Sequence, residues 1–524
     1  MVKLEIRKNA YYDSVTLMLI SNDLKKIDGI EDALVGMGTE LNCEIAHNIG
    51  LVTPEFKAVT ANDLFVAVKC ESEAAFDNAK RKVEELLNKK SEAKETDYYT
   101  STLEGAIKID PELNLAIISV PGKYAADVAQ GCLDRDINVL LFSDNVTIEE
   151  ERSLKEYAYK KELLLMGPDC GTAIINHVPL AFANVVRAGD IGIVAASGTG
   201  TQEVSSLIDQ LGGGVSQVIG TGGRDLKKEI GGPMMKLGLE ALVKDPQTKV
   251  ITLISKPPAK EIATEILTLA AGTEKPVVVC FIGGERSEIE TYGLIAALSL
   301  EDAAHKAVAL SKGEPVRDYI EFHMGEEAAK ALAKEEAAKM AVGQQYVRGF
   351  YTGGTLCDEA MKLMLGKLGH IYSNIPLQSE DKLTDARNGK SIQHTFLDFG
   401  DDEFTVGRPH PMIDPSLRAE RVITEGKDKE CAIIMVDCVI GYGSHDNPAK
   451  DLSDSIRLAK ASATAEGRHL LVVACVCGTE GDPQSLSRTQ KQLMDAGAVV
   501  LPSNAQATRF VELVLSNMRE EGMI

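Results

Sequence analysis

The feature that most constrains the fold of this chain is a segment that occurs twice. The first copy is Ile193-Val-Ala-Ala-Ser-Gly-Thr-Gly-Thr-Gln-Glu-Val204, and the second is Arg348-Gly-Phe-Tyr-Thr-Gly-Gly-Thr-Leu-Cys-Asp-Glu-Ala360. Each copy has the pattern of a buried strand, a turn of small residues and a helix. Aligned, Gly198-Thr199 corresponds to Gly354-Thr355, and Glu203 corresponds to Glu359. The repetition predicts two equivalent α/β units in one chain.

The turns of the two copies have the composition of an anion site. A helix that begins after such a turn presents unpaired backbone N–H groups and the positive end of its dipole to a ligand. For either copy alone, an ordinary helix cap with Ser197 or Thr199 as the N-cap residue is the better explanation. Two copies packed about a pseudo-two-fold axis would aim both helix starts at one phosphate. We therefore predict a phosphate site that consists of Ser197, Gly198, Thr199, Gly353, Gly354 and Thr355.

Composition narrows the class of protein. The chain has 524 residues, of which 44% are hydrophobic and 26% are charged, as in soluble globular proteins of three or four domains. Its formal net charge of -22 disfavours nucleic acid and anionic membranes as partners. Ten scattered cysteines, and the lack of a signal-peptide core or a spanning apolar run, predict a cytoplasmic protein with reduced thiols. No cluster with metal-ligand spacing is found, so no metal site is predicted.

We predict a small α/β domain of unknown role at residues 1–95, followed by a polar linker at 89–100. The apolar pattern of this domain predicts a strand at 15–20, a helix at 27–37, strands at 41–45 and 64–69, and a helix at 73–90.

The rest of the chain alternates between apolar strands and helices, which predicts parallel sheets covered on both faces. The expected fold is therefore α/β, with several Rossmann/flavodoxin-like parallel-sheet domains behind the N-terminal domain. The expected domains are 101–185, 186–315 and 346–524, with a solvated helical linker at 326–345 that is rich in Ala, Glu and Lys. Ligands sit at the carboxyl ends of such strands, where Val120-Pro-Gly-Lys123 and Gly167-Pro-Asp169 occur.

From about residue 101 onward the chain resembles the ADP-forming succinyl-CoA synthetases, with parts of the alpha and beta subunits in one polypeptide. The fused arrangement behind an unrelated N-terminal segment is identified as that of the FdrA family. The resemblance implies a truncated CoA-binding-like domain at 101–185, an alpha-type ligase domain at 186–315 and a beta-type ligase domain at 346–524. The motifs that carry it are Val120-Pro121, Gly167-Pro-Asp-Cys170, Gly189-Asp-Ile-Gly-Ile-Val-Ala-Ala-Ser-Gly-Thr199, Lys244-Asp-Pro-Gln-Thr248 and Phe396-Leu-Asp-Phe-Gly400.

Three departures from the synthetases affect the expected chemistry. The histidine that the synthetases phosphorylate has no counterpart, because the region after Gly283 reads Gly-Glu-Arg-Ser-Glu-Ile-Glu-Thr-Tyr-Gly293. His305 follows in the next helix and is expected at the surface. Lys256 stands where the synthetases have the glutamate that steadies this histidine. The Gly-rich first turn of the CoA-binding domain and the ATP-grasp domain are also missing.

These departures leave a phosphate site without a phosphohistidine shuttle, so the phosphate is expected to belong to a substrate. The FdrA resemblance implies a carbamoyltransferase that acts in allantoin degradation, converting oxamate and carbamoyl phosphate into oxalurate and phosphate. Lys256 would add a cation, and His410 or His445 would serve as general base. Arg408 is a further candidate for pairing with the oxamate carboxylate. The expected substrate-binding residues are Val120, Pro121, Lys123, Asp169 and Arg224.

Two alternatives stay open at this point. One is an acyl-CoA synthetase that binds CoA and works with a separate nucleotide-binding subunit. The other is a non-catalytic scaffold or regulator that keeps an anion site. In each case the expected partners are small anionic substrates and separately encoded subunits, and an oligomer is expected. CoA is the one candidate cofactor.

Overall fold

The protein was analysed as a computed structural model that describes residues 1–8, 10, 12, 14–91, 100, 102–405 and 408–523. Most of the predicted polar linker, residues 92–99, lies outside the described residues. Two compact units are formed, Met1–Pro111 with Thr405–Pro409, and Glu112–Phe404 with His410–Ile524. The predicted α/β class, with parallel sheets and a small N-terminal domain, is confirmed.

The N-terminal unit contains an antiparallel three-stranded sheet in the order β1-β3-β2. Its elements are β1 (Val2–Arg7), α1 (Ser14–Leu24), β2 (Ile30–Met37), α2 (Glu40–Asn48), a 3-10 helix at Pro54–Ala58, β3 (Leu64–Cys70), α3 (Glu73–Ser91) and α4 (Leu103–Ile109).

Three elements predicted for this unit are wrong. The expected strand at 15–20 lies in α1, the expected helix at 27–37 is largely β2, and the expected strand at 41–45 lies in α2. Short apolar runs do not distinguish a buried helix from a strand by periodicity alone. Residues 30–37 form a strand because of tertiary pairing. Ala33 to Met37 pair residue by residue with β3, which is the middle strand of the sheet. The strand at 64–69 and the helix at 73–90 are confirmed.

The second unit begins with a parallel three-stranded sheet in the order β4-β5-β6. Its carboxyl edge holds the turns that the sequence marked for substrate binding. The elements are β4 (Leu115–Ile118), α5 (Gly122–Leu133), β5 (Asn138–Leu141), α6 (Ile148–Lys160) and β6 (Leu165–Met166).

A seven-stranded sheet follows in the order β13-β12-β11-β9-β10-β7-β8. The strands from β9 to β13 are parallel, and the β7–β8 hairpin adds an antiparallel edge. The elements are β7 (Thr172–Ile175), β8 (Val178–Ala181), β9 (Ala188–Ala195), α7 (Thr199–Gln210), β10 (Val215–Gly220), α8 (Pro233–Lys244), β11 (Val250–Ser255), α9 (Lys260–Ala271), β12 (Val277–Phe281), α10 (Arg286–Glu290), β13 (Ile295–Ala296) and α11 (Leu300–Lys312).

The expected solvated linker contains a helix, α12 (Glu326–Ala337), but this helix is not a solvated spacer. Ala329, Ala333 and Ala337 recur every four residues and are fully buried in the main apolar core. Glu336 accepts a hydrogen bond from the His469 ring at 2.7 Å. The Ala-rich composition therefore reflects close helix packing, which the charged residues of the same segment concealed.

The last sheet is six-stranded and entirely parallel, in the order β15-β16-β14-β17-β18-β19. Its elements are β14 (Tyr346–Tyr351), α13 (Gly354–Met364), β15 (Ile371–Ser373), a 3-10 helix at Ser379–Asp381, β16 (His394–Asp398), α14 (Asp402–Thr405), α15 (Ser416–Glu425), β17 (Cys431–Val439), α16 (Pro448–Ala465), β18 (Leu471–Cys477), α17 (Leu486–Asp495), β19 (Val499–Leu501) and α18 (Asn504–Glu520).

The six- and seven-stranded sheets share one apolar core and a reciprocal pair of buried glutamates. Glu203 on α7 accepts a hydrogen bond from the backbone N–H of Asn504, the first residue of α18, at 3.1 Å. Glu359 on α13 accepts one from the backbone N–H of Leu300, the first residue of α11, at 2.8 Å. Each sheet thus supplies the carboxyl that satisfies an orphan donor at a helix start in the other. None of the described helices is long and apolar enough to span a membrane.

Candidate functional site

The two predicted helix starts lie together between the six- and seven-stranded sheets. The Ser197 hydroxyl is 2.7 Å from the Thr355 hydroxyl, and both side chains are buried. The Ser197 Oγ also accepts a hydrogen bond from the backbone N–H of Gly200 at 3.0 Å, in the first turn of α7. Gly198, rather than Ser197 or Thr199, is the N-cap residue. The starts of α7 and α13 therefore form one contiguous site.

The three turn glycines differ in how much space a side chain would have. A methyl carbon at Gly353 would lie 2.5 Å from Cβ of Thr199, and one at Gly354 would overlap the Asp398 carboxyl group. Both positions need glycine because neighbouring groups occupy the space. At Gly198, by contrast, a methyl carbon would meet no atom within 4 Å. The open space of the site lies on the Gly198 side.

A buried aspartate fixes the turn before α13. Asp437, on the fully buried strand β17, accepts hydrogen bonds from the backbone N–H groups of Thr352 at 2.8 Å and of Gly353 at 3.2 Å. The Thr352 hydroxyl donates to the same carboxylate at 2.7 Å, and the Arg418 guanidinium pairs with it at 2.5 Å. Asp437 was not predicted as a site residue, although a charged residue inside an otherwise apolar strand indicates a buried polar contact.

Asp398, at the end of β16, lies against the first residue of α13. Its Oδ1 accepts a hydrogen bond from the Gly400 N–H at 2.9 Å, and its Oδ2 faces Gly354. Burial raises the pKa of this carboxyl to about 7, and the positive charge of Lys256 opposes that shift. Lys256 follows β11 and is exposed. The structure thus brings the predicted cation near both helix starts, together with a carboxyl that was not predicted.

His410 borders the same site. Its Nδ1 accepts a hydrogen bond from the Met412 N–H at 3.2 Å, so Nε2 carries the ring proton. A methyl carbon at Gly400 would lie 2.7 Å from this Nε2 and 2.9 Å from the Thr352 carbonyl oxygen. Burial lowers the pKa of His410 to about 4, which keeps the ring neutral. In this state His410 presents an N–H donor to the site rather than a basic nitrogen.

His445, the other predicted base, is hydrogen-bonded to the backbone of Met412. Its backbone N–H donates to the Met412 carbonyl at 2.7 Å, and its Nδ1 accepts from the Asn447 N–H at 3.1 Å. The side chain is half-buried. His445 therefore braces the loop that holds His410, and its catalytic role stays a prediction.

The predicted substrate residues at the three-stranded sheet are joined through Ser143. The Ser143 hydroxyl accepts from the Val120 N–H at 3.0 Å, and its carbonyl oxygen accepts from the Asp169 N–H at 3.0 Å. Pro121 is the N-cap residue of α5, and Lys123 in the first turn of that helix is exposed. Asp169 is exposed and has a φ of 53°. These turns thus form one edge of the domain.

Arg224 belongs to an ion-pair network. Its Nε pairs with the fully buried Glu151 at 2.8 Å, and its Nη2 donates to the Val146 carbonyl at 2.8 Å. Lys155, also fully buried, pairs with Glu151 and Asp225, both at 2.9 Å. Because its guanidinium neutralises a buried carboxylate, Arg224 stabilises the packing of α6 against the seven-stranded sheet, and its role in substrate binding stays a prediction.

A row of aromatic rings connects the edge of the three-stranded sheet with the starts of α7 and α13. Phe142, directly after β5, is 5.4 Å from Phe182, and Phe182 is 5.7 Å from the His410 ring, measured between ring centroids. The predicted substrate turns and the helix starts therefore border the same part of the unit.

The loop after β12 carries no histidine. At the start of this loop, the Ile282 carbonyl accepts a hydrogen bond from Lys362 of α13 at 2.6 Å.

His305 was expected at the surface, but it is half-buried on α11 and stacks on Tyr319 with ring centroids 3.4 Å apart. This stacking leaves His305 as a packing residue.

Three protein families match parts of the chain. The AllF heavy metal-associated domain matches residues 1–102, the CoA binding domain matches residues 186–283, and the CoA-ligase family matches residues 350–514. The domain boundaries given above stay predictions.

Individual relatives agree with these matches. YahF of Escherichia coli (strain K12) is 46% identical over 503 residues, 96% of this chain and 96% of that protein. The alpha subunit of the ADP-forming succinate--CoA ligase of Aquifex aeolicus is 27% identical over 250 residues, 44% of this chain and 77% of that protein. A second such alpha subunit, from Archaeoglobus fulgidus, is 30% identical over 177 residues, 32% of this chain and 58% of that protein.

The name of the first family implies a heavy metal, for which thiolates and imidazoles are suitable ligands. The N-terminal unit offers two described thiols, Cys43, which is half-buried on α2, and Cys70, which is buried at the end of β3. Burial raises the pKa of the Cys43 thiol, which disfavours the thiolate that binds metal. Across the described ranges, no group of three His, Cys, Asp or Glu side chains could hold a metal ion. The residues do not fit a heavy metal.

The comparisons correct the predicted activity. The carbamoyltransferase prediction for oxamate and carbamoyl phosphate is wrong, because the families that match residues 186–283 and 350–514 are a CoA binding domain and a CoA-ligase, and the similar alpha subunits belong to succinate--CoA ligases. The alternative prediction, an acyl-CoA synthetase, agrees with these matches.

Proposed function

We propose that this chain, which belongs to the FdrA-like family related to the succinyl-CoA synthetases, is the acyl-transferring component of an ADP-forming acyl-CoA synthetase. The half-reaction joins an acyl phosphate and CoA to give an acyl-CoA thioester and inorganic phosphate. ATP chemistry is assigned to a separate nucleotide-binding subunit, since the families that match residues 186–283 and 350–514 are a CoA binding domain and a CoA-ligase. The substrates are small anionic acyl phosphates.

The observation that carries this proposal is the meeting of two helix starts at the Ser197–Thr355 contact. Two helix dipoles and the exposed Lys256 favour a phosphate dianion more than one helix start alone. The same groups stabilise the phosphate as negative charge develops on it in the transition state. The side of Gly198 has the open space that such a ligand needs.

His410 and Lys256 have distinct roles in this proposal. The neutral His410 ring offers its Nε2–H as a hydrogen-bond donor, either to a phosphate oxygen or to the acyl oxygen. Lys256 supplies a full positive charge from the carboxyl end of β11. The described loop after β12 has no histidine to carry a phosphoryl group. In this proposal the γ-phosphoryl group therefore passes from ATP directly to the carboxylate at the partner subunit, which releases ADP, and the resulting acyl phosphate reacts with CoA here.

CoA approaches from the edge that holds Val120, Pro121 and Asp169. Lys123 is the exposed cation of this edge and pairs with a CoA phosphate, since Arg224 is engaged with Glu151. The row from Phe142 through Phe182 to His410 connects this edge with the helix starts. A pantetheine arm that follows this row would bring the thiol to the phosphate site.

The test is thioester formation by the purified full-length chain. A panel of small acyl phosphates is mixed with CoA, and thioester and phosphate are measured in parallel. We expect equal amounts of both products, with a rate that falls at least tenfold in Lys256→Ala, as expected for loss of ~1.4 kcal/mol of transition-state stabilisation. Lys160→Ala, which removes a lysine from the last turn of α6, is the matched control.

A second measurement adds ATP, a free carboxylic acid and the candidate nucleotide-binding subunit. Thioester formation from the free acid that requires both proteins, with one ADP released for each thioester, supports the division of labour. Tight phosphate binding without thioester formation, with every acyl phosphate and every partner, would refute the proposal and favour a non-catalytic anion-binding protein.

A further inference from the structure

Thioester formation from an acyl phosphate requires a proton at the phosphate. The sulfur of CoA gives up its proton when it forms the new C–S bond, and the C–O bond to phosphate breaks with its electron pair on oxygen. Unprotonated, that oxygen would leave as part of a phosphate trianion. The reaction proposed above therefore needs a group at the helix starts that can donate a proton to the leaving oxygen.

We propose that Asp398 is this group, a catalytic residue that in its protonated form hydrogen-bonds the bound phosphate and then transfers its proton to the leaving oxygen. The inference rests on the proposed function for the identity of the substrate. Its support is independent, because it comes from the placement of one carboxyl group.

Asp398 is only 7% exposed, and its Oδ2 lies directly against Gly354, where α13 begins. The Oδ1 atom accepts the Gly400 N–H, and among the described residues no hydrogen bond reaches Oδ2, which can therefore meet a ligand. A carboxyl group that is so largely withdrawn from water is costly to ionise unless a donor or a cation compensates. Two helix starts beside it attract an oxyanion, and a protonated Oδ2 would complete the ring of donors.

Among the groups that face the Gly354 end of α13, Asp398 is the carboxyl that titrates near neutral pH. Burial also raises the pKa of Glu359 to about 7 and of Glu203 to about 8, but these carboxyls accept hydrogen bonds from the starts of α11 and α18 instead. Asp437, on the neighbouring strand β17, is held by Arg418 and by the Thr352 turn. His410 stays neutral because burial lowers its pKa to about 4, and burial raises the pKa of the Cys357 thiol on α13 well above its usual range. Lys256 and Asp401 contribute opposing charges from the ends of β11 and β16, while burial brings the pKa of Asp398 itself to about 7.

The thiolate sulfur of CoA attacks the acyl carbon, the C–O bond breaks, and the proton of Asp398 moves to the released oxygen, giving hydrogen phosphate and an ionised Asp398. The ionised carboxylate repels the dianion and promotes its release. The thiol of the next CoA molecule restores the proton to Asp398, either directly or through solvent. One thiol proton is thereby delivered to each phosphate.

Sulfate is the probe that isolates the carboxyl group, since sulfate itself does not titrate between pH 6 and pH 8. We expect the full-length protein to bind sulfate about tenfold more weakly at pH 8 than at pH 6, because a carboxyl with a pKa of about 7 loses its proton over this interval. Asp398→Asn keeps the shape and a donor, so its affinity should not change with pH. Asp454→Asn, at an exposed aspartate on α16, should behave as the unmodified protein.

Absence of sulfate binding, or an equal pH dependence in Asp398→Asn, would overturn the inference. If Asp398→Asn fails to fold, the pH dependence of the unmodified protein still decides, because a flat sulfate affinity excludes a titrating carboxyl. Kinetics give a second readout in which Asp398→Asn lowers kcat at least a hundredfold with little change in KM. A protein that binds sulfate as expected but forms no thioester would refute the proposed function and leave the placement of Asp398 intact.

Discussion

Alanine at the two N-cap glycines, Gly353 of α13 and Gly198 of α7, should have different effects on stability. Gly353→Ala places a methyl carbon 2.5 Å from Cβ of Thr199, and nearer still to its hydroxyl and methyl groups, whereas carbon atoms pack at about 3.5–4.0 Å. Thr199 is β-branched and buried at the start of α7, so it has few rotamers in which to escape. We expect a loss of roughly 1–3 kcal/mol in the free energy of unfolding, typical of overpacking.

Gly198→Ala is the matched variant, since it adds the same methyl group at the equivalent turn. That methyl group meets no atom within 4 Å, and Gly198 has a φ of −78°, which alanine adopts without strain. We expect unchanged or slightly raised stability. The added methyl group would instead occupy the open side of the proposed phosphate site, so sulfate affinity should fall severalfold.

Differential scanning calorimetry of the full-length variants measures the first effect. An unfolding loss of the expected size lowers Tm by about 1–2 °C for each kcal/mol, because both turns lie in one compact unit of roughly 400 residues. Thr199→Gly tests the cause, because in the double variant with Gly353→Ala the loss should be smaller than the sum of the two single losses. Equal stability of Gly353→Ala and Gly198→Ala would refute the reasoning that the two turns are packed against each other.

Three further predictions concern charge. Burial raises the folded-state pKa of Glu203 to about 8 from an ordinary 4.5, so its destabilising effect is absent below pH 4.5 and grows as pH rises to 8. Glu203→Gln should therefore raise Tm more at pH 8 than at pH 5, and an equal effect at both pH values would contradict this prediction. Arg224→Met leaves the buried Glu151 without its guanidinium and should lower the unfolding free energy by roughly 1–3 kcal/mol in urea denaturation, whereas no change would show that the pair is dispensable. Lys256→Ala removes an exposed cation, so Tm should stay constant while sulfate binding weakens at both pH 6 and pH 8; a loss confined to one pH would contradict a purely electrostatic role.

The elements that sequence predicted well are those whose apolar pattern and turn chemistry agree. The strand, glycine turn and helix around Gly198 and Gly354 fall where the repeated segment indicates, and the structure places the Ser197 and Thr355 hydroxyls in contact. In the first 50 residues the pattern was misleading. Ser14–Leu24 is an apolar run that packs as a helix, and the alternation of Val2–Arg7, which signals a strand, was overlooked.

The candidate site was predicted only in part, because its most constrained groups are defined by contacts between distant segments. Asp437 and Asp398 lie within apolar strands, where sequence shows a charge but not its partner. The pairing of Arg224 with Glu151 spans 73 positions of sequence, so the arginine looked available for a substrate. The protonated nitrogen of His410 depends on a hydrogen bond within its own loop, which residue spacing does not reveal.

The reciprocal pair of buried glutamates, Glu203 and Glu359, explains why the six- and seven-stranded sheets belong to one polypeptide. If the chain were cut between α11 and α12, Leu300 and Asn504 would each lose the carboxyl that satisfies them, and the shared core would open to water. Separate fragments should therefore be poorly soluble and should regain structure only when expressed together. Covalent continuity makes encounter of the halves intramolecular and holds their ratio at one to one.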